Sequence, residues 1–162
     1  MIRLITPKIY LETTVFNYYF TEDPMLEIAK LDTIELFKEI KNHFFEAYYS
    51  DVVVAELDKC NEPKRSKMLS LIKEYKIIPI KNYNNYIRLA QQYIEERVLP
   101  KKKKSDAAHI ALATINNLDI VVSWNCKHIV RYKTRKLVNI INEINGYKKI
   151  DVNTPTEVIE NV

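Results

Sequence analysis

The sequence predicts an α/β domain, a three-layer α/β/α sandwich around a central, mostly parallel sheet. Short β-branched apolar runs alternate with longer segments of helical periodicity, the pattern of repeated βα units. The 162 residues suit one domain spanning 1–162 and leave little room for a second. At 47% hydrophobic residues, the chain can bury a core of useful size.

Ile9-Tyr10-Leu11 reads as the first strand, closed by the polar turn Glu12-Thr13-Thr14. From Met25 to Lys41, Leu26, Ile28, Ala29, Ile34, Leu36, Phe37 and Ile40 recur at approximate helical spacing. Phe45 to Tyr49 is a second strand. Ser50-Asp51 then supplies an N-cap signal for a helix carrying Val54, Glu56 and Leu57. Pro63 opens another helix, with Met68, Leu69 and Ile72 on one side. Ile77 to Ile80 is a short strand, and Pro79 marks it as an edge or a strand end. Tyr86 to Val98 is an amphipathic helix.

The charge run Lys101–Lys104 leads into Ser105-Asp106, a second capping signal ahead of the helix Ala107–Ile115. Leu118 to Ser123 is the clearest buried strand. A helix over about Thr134–Ile144 follows, stopped by Gly146. Lys149 to Val152 forms a last edge strand, and Pro155 stands where a short final helix begins.

Several function classes fall away at once. With Gly146 the one glycine in the chain, neither a dinucleotide-binding G-x-G-x-x-G nor a P-loop can be written. Cys60 and Cys126 form no C-x-x-C, which argues against a disulfide framework or a cysteine-based zinc site and for a reducing compartment. No apolar run approaches the roughly 20 residues that span a bilayer, and the N-terminus has no continuous apolar signal segment. A cytoplasmic protein without membrane attachment is expected. The formal charge of +4 permits a polyanionic partner without requiring one.

Ligands of parallel sheets bind beyond the carboxyl ends of the strands, so polar residues directly after strand-like runs are the first candidates. Glu12 follows the first strand, and Ser123-Trp124-Asn125 follows Leu118–Val122. Glu56 lies a little over a turn into the helix after the second strand, and Asp106 opens the helix before the fourth. Two carboxylates about 5 Å apart repel by roughly 3 kcal/mol at an effective dielectric near 20. A cluster of three calls for a cation, and all-oxygen donors suit Mg²⁺ or Mn²⁺. Such an ion can orient and polarise a phosphodiester and activate water.

These segments carry a family resemblance. Ile9-Tyr10-Leu11-Glu12-Thr13-Thr14-Val15 resembles the opening motif of PIN-domain nucleases, and Glu56 in Ser50–Leu57 resembles their second acidic position. Ser105-Asp106-Ala107-Ala108-His109-Ile110-Ala111 is similar to the third motif, and Ser123-Trp124-Asn125-Cys126-Lys127-His128-Ile129 to the fourth. The tail Val152–Ile159 resembles that of bacterial VapC-like toxins. The four motifs occur in the family's order over nearly the whole chain.

The resemblance implies an Mg²⁺- or Mn²⁺-dependent endoribonuclease, the toxin of a toxin–antitoxin pair, with RNA as substrate, a cognate antitoxin as partner and a homodimeric assembly. It makes Glu12, Glu56, Asp106 and Asn125 the catalytic, metal-holding set. Thr13, Ser123, Lys103 and Lys104 become candidates for substrate contact or orientation. Two positions depart from the family pattern, with Glu12 and Asn125 where aspartates are usual. The Glu12 carboxylate lies about 1.5 Å further out, against a geometric tolerance near 0.5 Å. Asn125 offers only a carbonyl oxygen to a metal-bound water or, weakly, to the metal. Two other functions fit the same residues: a degraded site retained for RNA or protein binding, and a DNase using the same metal chemistry. His109 and His128 read as packed or hydrogen-bonded side chains, and Trp124 as rim packing.

Overall fold

In the computed structural model, which describes residues 5–159, five parallel strands form one sheet in the order β3-β2-β1-β4-β5. They are β1 (Lys8–Leu11), β2 (Glu46–Tyr49), β3 (Ile78–Pro79), β4 (Ile120–Val122) and β5 (Asp151–Asn153). Helices cover both faces: α1 (Thr13–Tyr19), α2 (Glu27–Lys41), α3 (Asp51–Leu57), α4 (Lys64–Glu74), α5 (Tyr86–Glu95), α6 (Lys104–Ile115), α7 (Tyr132–Ile144) and α8 (Pro155–Ile159). The three-layer parallel architecture expected from the alternation of runs is therefore present. Among the described residues no helix is long and apolar enough to cross a membrane.

The central strand explains the layering. Ile9, Tyr10 and Leu11 of β1 are fully buried on both faces, as a strand covered by helices must be. β1 pairs with β2 through Ile9↔Ala47 and with β4 through Tyr10↔Val121. Helix α6 is apolar nearly all round, with Ala107 and His109 to Ile115 all buried, so it is a core helix packed chiefly against α5. Helix α5 turns Leu89, Ala90 and Tyr93 inward. The Tyr93 hydroxyl donates to Asn142 Oδ1 at 2.5 Å, and Asn142 Nδ2 donates to Thr114 Oγ1 at 3.2 Å. That buried polar knot joins α5, α6 and α7 and satisfies groups that would otherwise be costly to bury.

Three local expectations change. Glu12-Thr13-Thr14 is not a simple turn: Glu12 caps α1 by accepting from the Thr14 backbone N–H at 3.1 Å. Ser50 occupies the N-cap position of α3 without making a capping bond, because its hydroxyl is engaged by Tyr10. Helix α6 begins at Lys104, so Ser105 and Asp106 lie inside its first turn rather than capping it. An acidic group there still complements the helix dipole. At the far end of α7, Gly146 takes φ 78°, the left-handed closing conformation its position predicts.

The strand order fixes where a ligand would bind. The chain builds outward from β1 to β2 and β3, then crosses back to lay β4 and β5 on the opposite side of β1. The order therefore reverses between β1 and β4, and the crevice beyond the carboxyl ends of those two strands is the switch point of the sheet. Glu12 leaves β1 at that rim, and Ser123 leaves β4 beside it.

Candidate active site

Glu12 is almost wholly buried, at 3% exposure, and one of its carboxylate oxygens is fully committed. Oε2 accepts from Thr14 N at 3.1 Å, Thr14 Oγ1 at 2.5 Å and Ser123 Oγ at 2.7 Å. Among the described residues no donor reaches Oε1, and that oxygen is not sealed from solvent. Burial pushes the Glu12 carboxyl above its ordinary value, outweighing the nearby His109 and the Thr14 and Ser123 hydrogen bonds that favour the charge. Ser123, itself fully buried, also accepts from Asn125 N at 2.9 Å. Thr14 accepts in turn from Trp124 N at 2.8 Å. The segment after β4 is thus tied to the segment after β1 through a single carboxylate.

Glu56 comes from the last turn of α3 and keeps 30% of its side chain exposed. Its Oε1 accepts from Thr13 Oγ1 at 2.9 Å and from His109 Nε2 in a close charge-assisted bond. Burial works to raise the Glu56 carboxyl. The His109 hydrogen bond and charge outweigh it, helped by the Thr13 and Ser105 hydroxyls, and hold Glu56 below its ordinary value. The Ser105 hydroxyl favours the Glu56 charge without meeting hydrogen-bond geometry.

Asp106 projects from the first turn of α6, and its Oδ2 faces Asn125 Nδ2 at 3.3 Å. Asn125 Oδ1 is already taken by His128 N at 3.0 Å. The carbonyl oxygen expected at a metal-bound water therefore caps a turn, and the amide nitrogen positions Asp106 instead. Burial raises the Asp106 carboxyl. His109, Lys103 and His128 pull the other way without cancelling it, and Glu56 adds to the rise.

Glu12, Glu56 and Asp106 thus all lie within electrostatic reach of one buried residue, His109, at the rim. The sequence reading gave His109 no special role. Its ring is fully buried; Nε2 faces Glu56, and Nδ1 meets the Tyr10 hydroxyl at 2.6 Å. Tyr10 OH continues to Ser50 Oγ at 2.7 Å. Burial alone would depress the imidazole. The Glu56 hydrogen bond and the charges of Glu12, Glu56 and Asp106 overcome this and raise it above its ordinary value. The surrounding acids thus favour the protonated ring over the neutral one. Thr13, a candidate for substrate contact or orientation, spends its hydroxyl on Glu56. Lys103 and Lys104 are exposed at the start of α6, with Lys103 within electrostatic reach of Asp106. Trp124 packs at the rim, stacked on Tyr18 with ring centroids 5.3 Å apart, and donates from Nε1 to Thr33 Oγ1 at 2.8 Å.

The donor set is chemically suited to a hard divalent ion, but the spacing is not that of a closed cage. Among the described residues no three His, Cys, Asp or Glu side chains are grouped so as to hold one metal ion. The expectation that Glu12, Glu56 and Asp106 ligate an ion together is not met in this conformation. An arrangement of one or two carboxylates with the remaining positions filled by water is common for Mg²⁺, and the free Glu12 Oε1 and the single contact on Asp106 suit it.

The buried chain from Ser50 to Glu56 makes a direct prediction. Tyr10→Phe removes one hydroxyl and strands Ser50 Oγ and His109 Nδ1 without changing the shape of the core. It should cost about 1–3 kcal/mol, lowering the melting temperature by roughly 2–12 °C for a chain of this size. Calorimetry of both proteins in chelator checks this; an unchanged melting temperature would remove the Tyr10 hydroxyl from the network.

Compared with protein-family models the chain matches none, and no curated protein matches it.

Proposed function

We propose that this chain is a PIN-like, metal-dependent endoribonuclease that hydrolyses RNA phosphodiesters at the β1–β4 switch point. The observation that carries the reading is the convergence of Glu12, Glu56 and Asp106 from three separate elements around one buried histidine. Evolution of a merely stable fold gives no reason to bring three acids to one rim, since each costs desolvation and repels the others.

Glu12, Glu56 and Asp106 would hold Mg²⁺ or Mn²⁺, the latter two partly through water. The bound ion supplies charge neutralisation at the phosphate and a more acidic water. The chain's own residues do the positioning. Ser123 and Thr14 fix Glu12, Thr13 and His109 fix Glu56, and Asn125 steadies Asp106. Lys103 and Lys104 stand beside Asp106, where they would hold a phosphate. A toxin role, with a cognate antitoxin and a homodimeric assembly, extends the same motif resemblance.

A second reading has a specific observation behind it. His109 sits among the acids, and among the described residues no three-ligand cage is formed, which suits a degraded site kept for RNA or protein binding. One assay separates the two. Labelled single-stranded RNA, and DNA of the same sequence, are incubated with the protein in Mg²⁺, Mn²⁺ or chelator. RNA fragments that appear with either ion and vanish with chelator are expected. RNA that is bound yet intact under every divalent condition would leave the binding module; cleavage of DNA alone would make the protein a DNase.

A further inference from the structure

Beside the acids lies a groove that the carboxylate chemistry does not use. It encloses about 1260 Å³ between α5 and α6, with Arg131 and Lys133 from the start of α7 along one side. Pockets for small molecules measure about 300–1,000 Å³, so this space suits a length of chain better than a metabolite.

The composition of its walls is lopsided. Arg97, Lys101, Lys104, Arg131 and Lys133 face the groove, against Glu95 as the one acid lining it among the described residues. None of these lysines takes part in a salt bridge among the described residues. Arg131 spends Nη1 on the Lys127 carbonyl, and its Nε has no partner. The floor is apolar, formed by Ala90, Val98, Leu99 and Ala108. A cationic rim above an apolar floor matches a strand that carries charge on its backbone and flat apolar faces on its bases.

The groove also has a direction. Its end runs along Lys104 and Ser105, the first residues of α6. Ser105 influences Glu56, and the next residue is Asp106. The α6 wall of the groove therefore borders the acid rim through Ser105, while Glu12, Glu56 and Asp106 do not line the groove itself.

We infer that the α5–α6 groove holds a single-stranded polynucleotide segment, with phosphates on its cationic rim, and leads that strand into the Glu12–Glu56–Asp106 site. The assignment rests on the nuclease reading for its purpose, and binding tests it without any cleavage. Arg97, Lys101 and Lys133 thereby become substrate-holding residues beyond the lysines next to Asp106.

The test measures affinity of the full chain for a fluorescent single-stranded uridine dodecamer in chelator. One triple variant carries Arg97→Gln, Lys101→Gln and Lys133→Gln. A control carries Lys41→Gln, Lys64→Gln and Lys67→Gln, exposed lysines of α2 and α4 that do not line the groove. Thermal melts establish that both are folded. Each single-strand phosphate contact contributes about 0.7 to the slope of log affinity against log salt. The groove variant should bind about tenfold or more weakly, with a slope shallower by about 2 between roughly 50 and 200 mM salt. The control should keep the wild-type affinity and slope.

Equal weakening in both variants, or none in either, overturns the assignment. So does an acidic glutamate dodecamer that displaces the RNA at equal concentration, since the groove would then be a site for acidic peptides. A wild-type dimer that the groove variant converts to monomer, with RNA affinity unmoved, would assign the groove to a second copy of the chain. Failure of the nuclease reading looks different: the RNA binds the groove with the predicted salt dependence, and no divalent ion produces fragments.

Discussion

Asp106→Asn is expected to reduce divalent-dependent RNA cleavage by about 100- to 1000-fold, the range for deleting one electrostatic stabiliser from a reacting centre, while leaving the fold intact. The two halves of this expectation have separate physical grounds. On the proposed reading the carboxylate would supply a full negative charge to an ion, and the amide that replaces it has the same shape and no charge. Stability should survive because the Asp106 charge is not what holds α6 in place. Its one hydrogen bond to a side chain is long, at 3.3 Å from Asn125 Nδ2, and burial already disfavours the ionised form. Neutralising it relieves desolvation and repulsion from Glu56. Parallel cleavage assays and thermal melts check both halves. Undiminished cleavage by the folded variant would remove Asp106 from the active set. Glu12→Gln would be a poorer test, because Glu12 Oε2 organises Thr14 and Ser123 and a loss of activity would mix chemistry with scaffold.

His109→Leu should produce the largest loss of stability at the site, about 3 kcal/mol. Breaking a buried ion pair costs roughly 3–5 kcal/mol, and the lower end applies because Glu56 remains 30% exposed to water. The Tyr10 hydroxyl loses one of its two partners as well, keeping Ser50. With about 2–4 °C lost per kcal/mol in a chain of this length, the melting temperature should fall by roughly 6–12 °C.

The dependence on pH identifies the cause. His109 is raised above its ordinary 6.5, so the stability it contributes is full below that value and is lost as pH rises through its folded-state value. Glu56 is lowered beneath its ordinary 4.5, so its contribution is full above that value and is lost as pH falls through its folded-state value. The gap between wild type and His109→Leu should therefore be widest between 4.5 and 6.5 and should narrow on either side. Denaturant titrations in chelator across this range measure it. A gap that widens steadily toward alkaline pH would mean that His109 is buried as the neutral ring.

The layered fold was legible because its signals are local. Ile9-Tyr10-Leu11 and Ile120-Val121-Val122 are apolar runs that need no partner to be read as strands. Pro79 announced an edge strand, and Gly146 a helix end. Helix α1 was not legible, because Thr13, Thr14 and Val15 are β-branched and poor helix formers; Glu12 starts the helix by capping it. Ser50 showed the opposite failure. Its residue type suits a cap, but Tyr10 claims the hydroxyl across the core.

Glu12 was legible as a polar residue following a strand, Asp106 as one opening a helix, and Glu56 from the helix after the second strand. The parts that hold them were not. His109 joins Tyr10 and Glu56 from distant points in the chain, and no local spacing encodes that meeting. Thr14 was hidden by its neighbour: Thr13 and Thr14 look alike in sequence, yet one hydroxyl serves Glu56 and the other Glu12. The rotation that separates them belongs to α1, which the sequence did not reveal. Asn125 was recognised as a site residue, but the orientation of its amide follows from the turn at His128.

The pairing of β1 with β4 has a consequence for how the protein comes into being. All three acids are already present in a nascent chain that has reached Asp106, but Ile9 has no partner at position 120 until that stretch has left the ribosome. Until then Glu12 also lacks the Ser123 hydroxyl that orients it. A polypeptide that stops between Asp106 and Ile120 therefore carries the acids without the strand pairing that sets their geometry.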